Sequence, residues 1–483
     1  TDYAVRGASV MAAESVPTAG KVSFSGGLLH VEVGDAAGVD LFGEYHAATY
    51  VVPGVAAIGS DATPPPDSFD GGELSAPAAV RTAVAAGVTL LWDAGEVGCY
   101  MLETTRLPPR IEPYVLNIEL ARHRLMKLVH KQEDWGLWDI PQAKPALEMA
   151  RQAQRTFAEA LGLMPDHAAA SQVADRSLSL AIEAGEALAR VHADVMLDRR
   201  KKLRKGGIPR TVLGIRCDPK IQNTNYRKTL ATNFDYAVLP IPWRALQPEE
   251  EVFLTDTSDQ AVEFFARNRI PVVAGPLVDL TEGEVPEWLF IYEHEFETIR
   301  QLAFEFVRSV ATRYRKVIKL WNVVGGLHAA SSFGLTFEQM VELTRLLVGQ
   351  VKSVIPTSKT LVTIRMPFGE YLGTSVGSVG SAAVPPMLYA EMVSQSGVEV
   401  DGFAVEIKTG VPKRGSYCRD LFQLSNMLDA FGNLNKPLFI HAVACPDRST
   451  QSGGIRAADG GRWHDDWSPE LQAKWMQDVY RIA

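Results

Sequence analysis

The chain has 483 residues, 46% hydrophobic and 22% charged, with a net charge of −9. That length can bury more than one core, and the acidic balance excludes a global attraction for nucleic acid. No apolar run reaches the roughly 18 residues of a transmembrane helix, and Cys99, Cys217, Cys418 and Cys445 follow no zinc or CxxC spacing.

Residues 1–110 are rich in Gly, Val and Ala, with short alternating runs at Lys21–Phe24, Leu28–Val33, Ala48–Val52, Val88–Trp92 and Tyr100–Thr104. Turn signals at Gly26-Gly27, Pro64–Pro66 and Gly71-Gly72 separate them, which predicts a small antiparallel β-sandwich. Trp92 and Tyr100 are expected in its core, with stacking on a sugar as the alternative.

Residues 111–207 change period. Apolar positions recur at helical spacing over Leu116–Trp135, Ala146–Leu161 and Ala168–Leu203, predicting a helical arm. The apolar stripe of the last helix (Ala174, Leu178, Ala181, Ala184, Leu188, Val191, Val195) must be covered. The first two helices cover part of it, and a homo-oligomer or larger protein assembly through the arm is expected to cover the rest. Glu119, Arg122 and His123 share a face that an exposed ion pair explains. The basic run Arg199–Lys205 reads as C-terminal charge against the helix dipole, and Gly206-Gly207-Ile208-Pro209 as a linker.

Residues 208–483 alternate strands and helices. Strands are predicted at Thr211–Cys217, Tyr236–Ile241, Pro271–Val278, Val317–Val324, Leu361–Met366, Gly402–Lys408 and Pro437–Cys445, with helices between most of them. The last helix, Pro469–Ile482, has Ser468 as N-cap. This is the rhythm of a (β/α)8-type TIM barrel, with seven strands visible and an eighth not seen in this chain. The fold class is thus a multidomain α/β chain: β-sandwich, helical arm and barrel. Gly373–Ser381 reads as a flexible loop and His464-Asp465-Asp466 as a solvated turn.

Several of these strands carry further detail. Val317–His328 (VIKLWNVVGGLH) resembles the fourth-strand motif WDVVNEA of glycoside hydrolase family 10, the xylanase family. Asn233–Pro248 (NFDYAVLPIPWRALQP) is similar to that family's second-strand segment, and Ala274–Val278 with Pro286–Phe290 to its GHxLVWH…PEWL. Asp401–Lys408 (DGFAVEIK) and Lys436–Pro446 (KPLFIHAVACP) resemble DGIGLQSH and KPxHITEVxxP, and Trp467–Ala473 the segment before the last helix. Together they imply a family 10-like barrel. The resemblance places the family's acid/base at Gly326 and its nucleophile at Ala442, so both catalytic glutamates are replaced. The positions that hold sugar in the family fall on residues such as Val238, Leu239 and Pro242.

Retaining hydrolysis needs two carboxyl groups about 5–5.5 Å apart, and neither Gly nor Ala supplies one. The first reading is therefore a pseudoenzyme with no catalytic residue, in a structural, assembly or carbohydrate-contacting role with polysaccharide as its partner. The alternative is an active endo-β-1,4-glycanase with relocated carboxylates, Glu406 with Asp279. The expected mouth residues are Asp279, Asn322, Glu406, Lys408 and His441, with Lys408 paired to Glu406 or Asp279. Glu406 and Lys408 alternate on one strand and share a face. His328 and His441 lack a carboxylate ligand, so no metal is expected, and no cofactor. The compartment stays open; the resemblance admits an extracytoplasmic one.

Overall fold

A computed structural model describes residues 89–105, 107, 114–203, 213–221, 223–281, 283–329, 333–370, 384–412, 415–449 and 460–483, and the backbone of 21–25, 28–32 and 73–76. Six strands open it: β1 (Lys21–Ser25), β2 (Leu28–Glu32), β3 (Glu73–Ala76), β4 (Thr89–Asp93), β5 (Gly98–Glu103) and β6 (Tyr114–Val115). One antiparallel sheet runs β3-β2-β1-β6. In the other, β4 and β5 form a hairpin whose third strand is Arg462–Trp463, from beyond the last barrel strand. The expected sandwich, including its run at 48–52, lies largely outside the described residues. Trp92 and Tyr100, paired across the hairpin, are both buried, and Tyr100 donates to the Val97 carbonyl at 2.5 Å. They are core residues.

Three helices follow, α1 (Leu116–Trp135), α2 (Lys144–Gly162) and α3 (His167–Leu203). At about 1.5 Å per residue α3 is roughly 55 Å long. The expected stripe at Ala174, Leu178, Ala181, Ala184 and Leu188 is buried. It meets α1 and α2 on one side and barrel helices on the other. The chain's own helices thus cover these five positions, while Val191 and Val195 of the same stripe are half-buried. Glu119, expected on an exposed face, is buried beside Arg122, 3.1 Å away.

The barrel strands are β7 (Gly214–Arg216), β8 (Tyr236–Leu239), β9 (Val272–Ala274), its continuation β10 (Val278–Asp279), β11 (Leu320–Gly325), β12 (Lys359–Ile364), β13 (Gly402–Lys408) and β14 (Leu438–Ala444). All pair in parallel in the order β14-β13-β12-β11-β9-β8-β7, with β10 on β11. Helices α4 (Thr224–Asn233), α5 (Trp243–Leu246), α6 (Asp256–Arg267), α7 (Phe296–Tyr314), α8 (Phe337–Val354), α9 (Pro386–Gln395) and α10 (Leu421–Gly432) fill the crossovers, and α11 (Pro469–Ile482) follows β14. The result is a nearly closed barrel, with Tyr236 and Phe439 packed 5.4 Å apart inside. The third strand, expected as one run, is two. It breaks at Gly275, whose φ of +112° and contact with the Asn322 carbonyl only glycine accepts. Between β14 and α11 lies β15 (Arg462–Trp463), which joins the hairpin and not the barrel sheet.

Buried charges clamp the helical layer to the barrel. Glu186 of α3 is 1% exposed and accepts from Trp463 Nε1 (2.7 Å) and Leu421 N (3.1 Å), with His464 Nε2 at 2.9 Å and Arg190 at 3.3 Å. Burial pushes this carboxyl up, but His464, Arg190 and Trp463 outweigh it and hold it below the usual range. His464 is therefore a partner of the clamp and not the solvated turn expected. Arg124 of α1 grips Asp420, the N-cap of α10, through two bonds of 2.9 and 2.8 Å. Gly185 lets the helices close, since a Cβ there would lie 2.8 Å from Arg124 Nη2 and 3.0 Å from Phe422.

Removing Glu186 strands several buried donors at once. Glu186→Ala is expected to lower unfolding free energy by roughly 3–5 kcal/mol, read as a lower urea midpoint at unchanged m-value. Arg155→Ala, which removes a solvent-exposed partner of Glu148, should leave that midpoint where it is.

Candidate functional site

Inside a parallel barrel the strand order and pleat decide what faces the mouth. Val238, Val273, Leu361 and Ala404, packed with Tyr236, Leu320 and Phe439, make an apolar plug near the strand N-termini. One step toward the C-terminal ends the lining turns polar. Asn322 Nδ2 donates to Thr363 Oγ1 at 2.5 Å and lies 3.3 Å from His441 Nδ1. With Nδ1 accepting, a neutral His441 carries its proton on Nε2, which has no protein partner.

Two register shifts set the next layer. Between β13 and β14 the pairing steps from Val405↔Ile440 to Glu406↔Ala442, so His441 is the extra residue of a bulge. Both His441 and Ala442 consequently face the interior. Between β11 and β12 the register skips Val323, bringing Gly325 opposite Thr363. On its other side Gly325 pairs with Asp279 of β10.

The charged rim sits on this frame. Lys408 Nζ donates to Glu406 Oε2 at 2.8 Å, the pairing expected from their alternation. Asp279 instead meets Arg365, whose Nε is 2.5 Å from Oδ2, while its Oδ1 accepts from Thr281 N (3.0 Å) and Oγ1 (2.5 Å). Glu284 lies 3.4 Å from the same guanidinium. Arg365, Thr281, Glu284 and Thr363 escaped the sequence reading. The one available signal was an arginine two residues beyond Thr363, on the same strand face. His328 Nε2 is bonded to the Arg365 carbonyl at 2.9 Å, and no cluster of three or more His, Cys, Asp or Glu suited to a metal occurs among the described residues.

The space beside Gly326 is occupied. Gly326 has φ +62°, and a Cβ there would lie 2.6 Å from Thr281 Cγ2, 3.1 Å from Arg365 Cδ and 3.2 Å from Asp279 Oδ1. A Cβ on Gly325 would meet Asp279 Oδ2 at 2.6 Å. The ion pair and its threonine thus fill the volume that side chains at 325 and 326 would need.

Electrostatics separate the two rim acids. Burial pushes Asp279 up, with Arg365 and Thr281 pulling against it. Burial also works to raise Glu406, but Arg365 and Lys408 overcome it and bring that carboxyl down to about 2. His441 falls to about 4, chiefly through burial, with Glu406 opposing. It is neutral at neutral pH.

Neither a protein-family model nor a curated protein matches the chain. Among solved structures it is similar to xylanases of glycoside hydrolase family 10. A GH10 endoxylanase from a sugarcane soil metagenome aligns at 14% identity and a TM-score of 0.37, over 47% of this chain and 65% of that one. Xylanase 10B of Thermotoga maritima aligns at 16% and 0.39, over 56% and 77%. GH10 from Paenibacillus barcinonensis aligns at 16% and 0.42, over 56% and 79%. The barrel described above rests on this chain's own strand order and register.

Gly326→Ala adds a crowded Cβ at a left-handed position and is expected to cost roughly 2–4 kcal/mol of stability, measured by urea unfolding. His441 supplies a pH signature. Its folded pKa of about 4 lies below the ordinary 6.5, so the unfolded state binds more protons between these values. The stability it confers is complete above pH 6.5 and drains away as pH falls toward 4. The gap between wild type and His441→Gln should therefore narrow by up to about 1.4 kcal/mol per pH unit across that window. A gap constant from pH 7 to 5 would mean the ring is charged inside the barrel.

Proposed function

We propose that this chain is a non-hydrolytic, family 10-like barrel protein whose mouth contacts carbohydrate. The observation that carries this reading is the filled position at Gly326: Asp279, Thr281 and Arg365 stand where a general acid would have to enter. Ala442 faces the mouth beside Glu406 and has no group that attacks carbon or moves a proton. What remains is a set of hydrogen-bonding atoms without protein partners. Asn322 Oδ1, Glu406 Oε1 and His441 Nε2 are buried without protein partners. Two acceptors and one donor in the lining above an apolar plug suit the hydroxyls of a sugar, or water in its absence.

One observation favours hydrolysis by relocated groups: the environment drives Asp279 and Glu406 in opposite directions, the division of labour of an acid and a nucleophile. Against it, Asp279 is held by Arg365 and by both the backbone and hydroxyl of Thr281. A proton donor needs freedom to reach the leaving oxygen, and this carboxyl has none.

The two readings separate on xylan and an aryl β-xyloside. No turnover above the blank is expected, while xylotriose should bind and lose affinity about tenfold, or 1.4 kcal/mol, in Asn322→Ala. Turnover that survives purification and vanishes in Glu406→Gln would replace this reading with the hydrolytic one.

A further inference from the structure

A second cavity lies away from the barrel mouth, at the seam between the helical layer and the barrel. It measures about 280 Å³ and is walled by α1, β5, α9, α10 and the segment after β12. Pockets for drug-sized ligands begin at roughly 300 Å³, so an occupant is small: a ring with a short side chain. Phe368, Pro386, Met387, Met427 and Phe431 supply an apolar side for the ring.

Charge does not select the other end of such a ligand. The ionised groups of the wall are Arg124, Arg419, Lys127 and Glu103. Arg124 is paired with Asp420 and Arg419 with Glu370, which leaves Lys127 and Glu103, one of each sign. His123, 3.6 Å from Glu103, does not tip this balance. Burial holds its ring below the usual histidine range, against the pull of Glu103, so it is neutral at neutral pH. The wall therefore has no surplus charge to offset what an ion loses on leaving water.

Hydrogen bonding selects that end instead. Arg419 is 4% exposed, with its guanidinium 4.5 Å over the Phe368 ring. Nη1 donates to the Met101 carbonyl at 3.0 Å and Nη2 to Glu370 at 2.8 Å, while the donor Nε is buried with no partner among the described residues. The acceptor Asn426 Oδ1 is buried without one as well, and both residues line the cavity. Each such group costs roughly 1–3 kcal/mol until it is matched. A carboxylate would satisfy Nε and leave Asn426 Oδ1 unmatched, and an ammonium would do the reverse. A neutral carboxamide carries acceptor and donor on neighbouring atoms of one planar group and suits both.

We propose that this seam cavity binds a small neutral aromatic carboxamide, its ring against Phe368 and Met427, its carbonyl accepting from Arg419 Nε and its N–H donating to Asn426 Oδ1. Such a ligand touches the helical layer and the barrel together, so it binds their docked arrangement and stabilises it by mass action.

The test is titration calorimetry on the full chain with three molecules of nearly one shape. 3-Phenylpropanamide has both donor and acceptor, 4-phenylbutan-2-one has a methyl group in place of the donor, and 3-phenylpropionate has a charge and no donor. One saturable site is expected for the amide, with the ketone and the acid each at least about tenfold weaker. Asn426→Leu, close in size, should weaken the amide by a similar factor and bring it level with the ketone. Ala430→Trp fills the cavity from α10 and should abolish amide binding, with folding of both variants checked by circular dichroism. No saturable binding at millimolar amide overturns the proposal, and so does a ketone or acid that binds as tightly as the amide. An amide preference that persists in folded Asn426→Leu, or binding that persists in folded Ala430→Trp, overturns it too. If neither variant folds, the wild-type ranking of the three molecules decides.

Discussion

The arrangement of the molecule depends on one buried carboxylate. Glu186 sits on the longest helix and receives the first backbone N–H of α10, the indole of Trp463 and the ring of His464. Those donors belong to two separate stretches of chain, and a charge taken out of water is tolerable only when such donors replace the water. Orientation of α3 on the barrel is thereby fixed, since no slide along its axis keeps all three donors. Arg124 with Asp420 and Arg190 with Asp478 (2.8 Å) repeat the logic on either side. An apolar stripe alone would let two helices slip by a turn. Directional bonds to buried charges remove that freedom.

At the mouth, the governing constraint is an absence of side chains. Two consecutive glycines at the end of β11 leave a hollow, and the Asp279–Arg365 pair lies in it. Each half depends on the other: the pair needs the hollow, and without the pair the hollow would be a void beside unpaired charge. A carboxylate side chain placed at 326 would therefore have to displace a salt bridge, a threonine and a left-handed turn together.

Much of this was legible in the sequence. The helical period gave α1 its full extent, and six of the seven barrel strands were placed as single runs. The pairing of Lys408 with Glu406 followed from alternation on one strand. Arg365 was missed because its partner is chosen by register across β10, β11 and β12, and a skipped residue in β11 shifts that register. The inward turn of both His441 and Ala442 likewise comes from a bulge that the run LFIHAVA does not announce. His464 looked solvated because its partner lies in α3, 278 positions earlier. Local pattern locates elements; which charges meet is decided by how the sheet pairs.

The pairing of the first hairpin with β15 has a consequence for how the chain is made. Arg462 bonds Asp93 across 369 positions. A ribosome adding about 5–20 residues per second therefore delivers the hairpin roughly 20–70 seconds before the strand that completes its sheet. During that interval Trp92 and Tyr100, buried in the finished protein, have only part of their cover. The hairpin can reach its native sheet only after almost the whole barrel has been synthesised. For this protein, the part translated early is among the last to be finished.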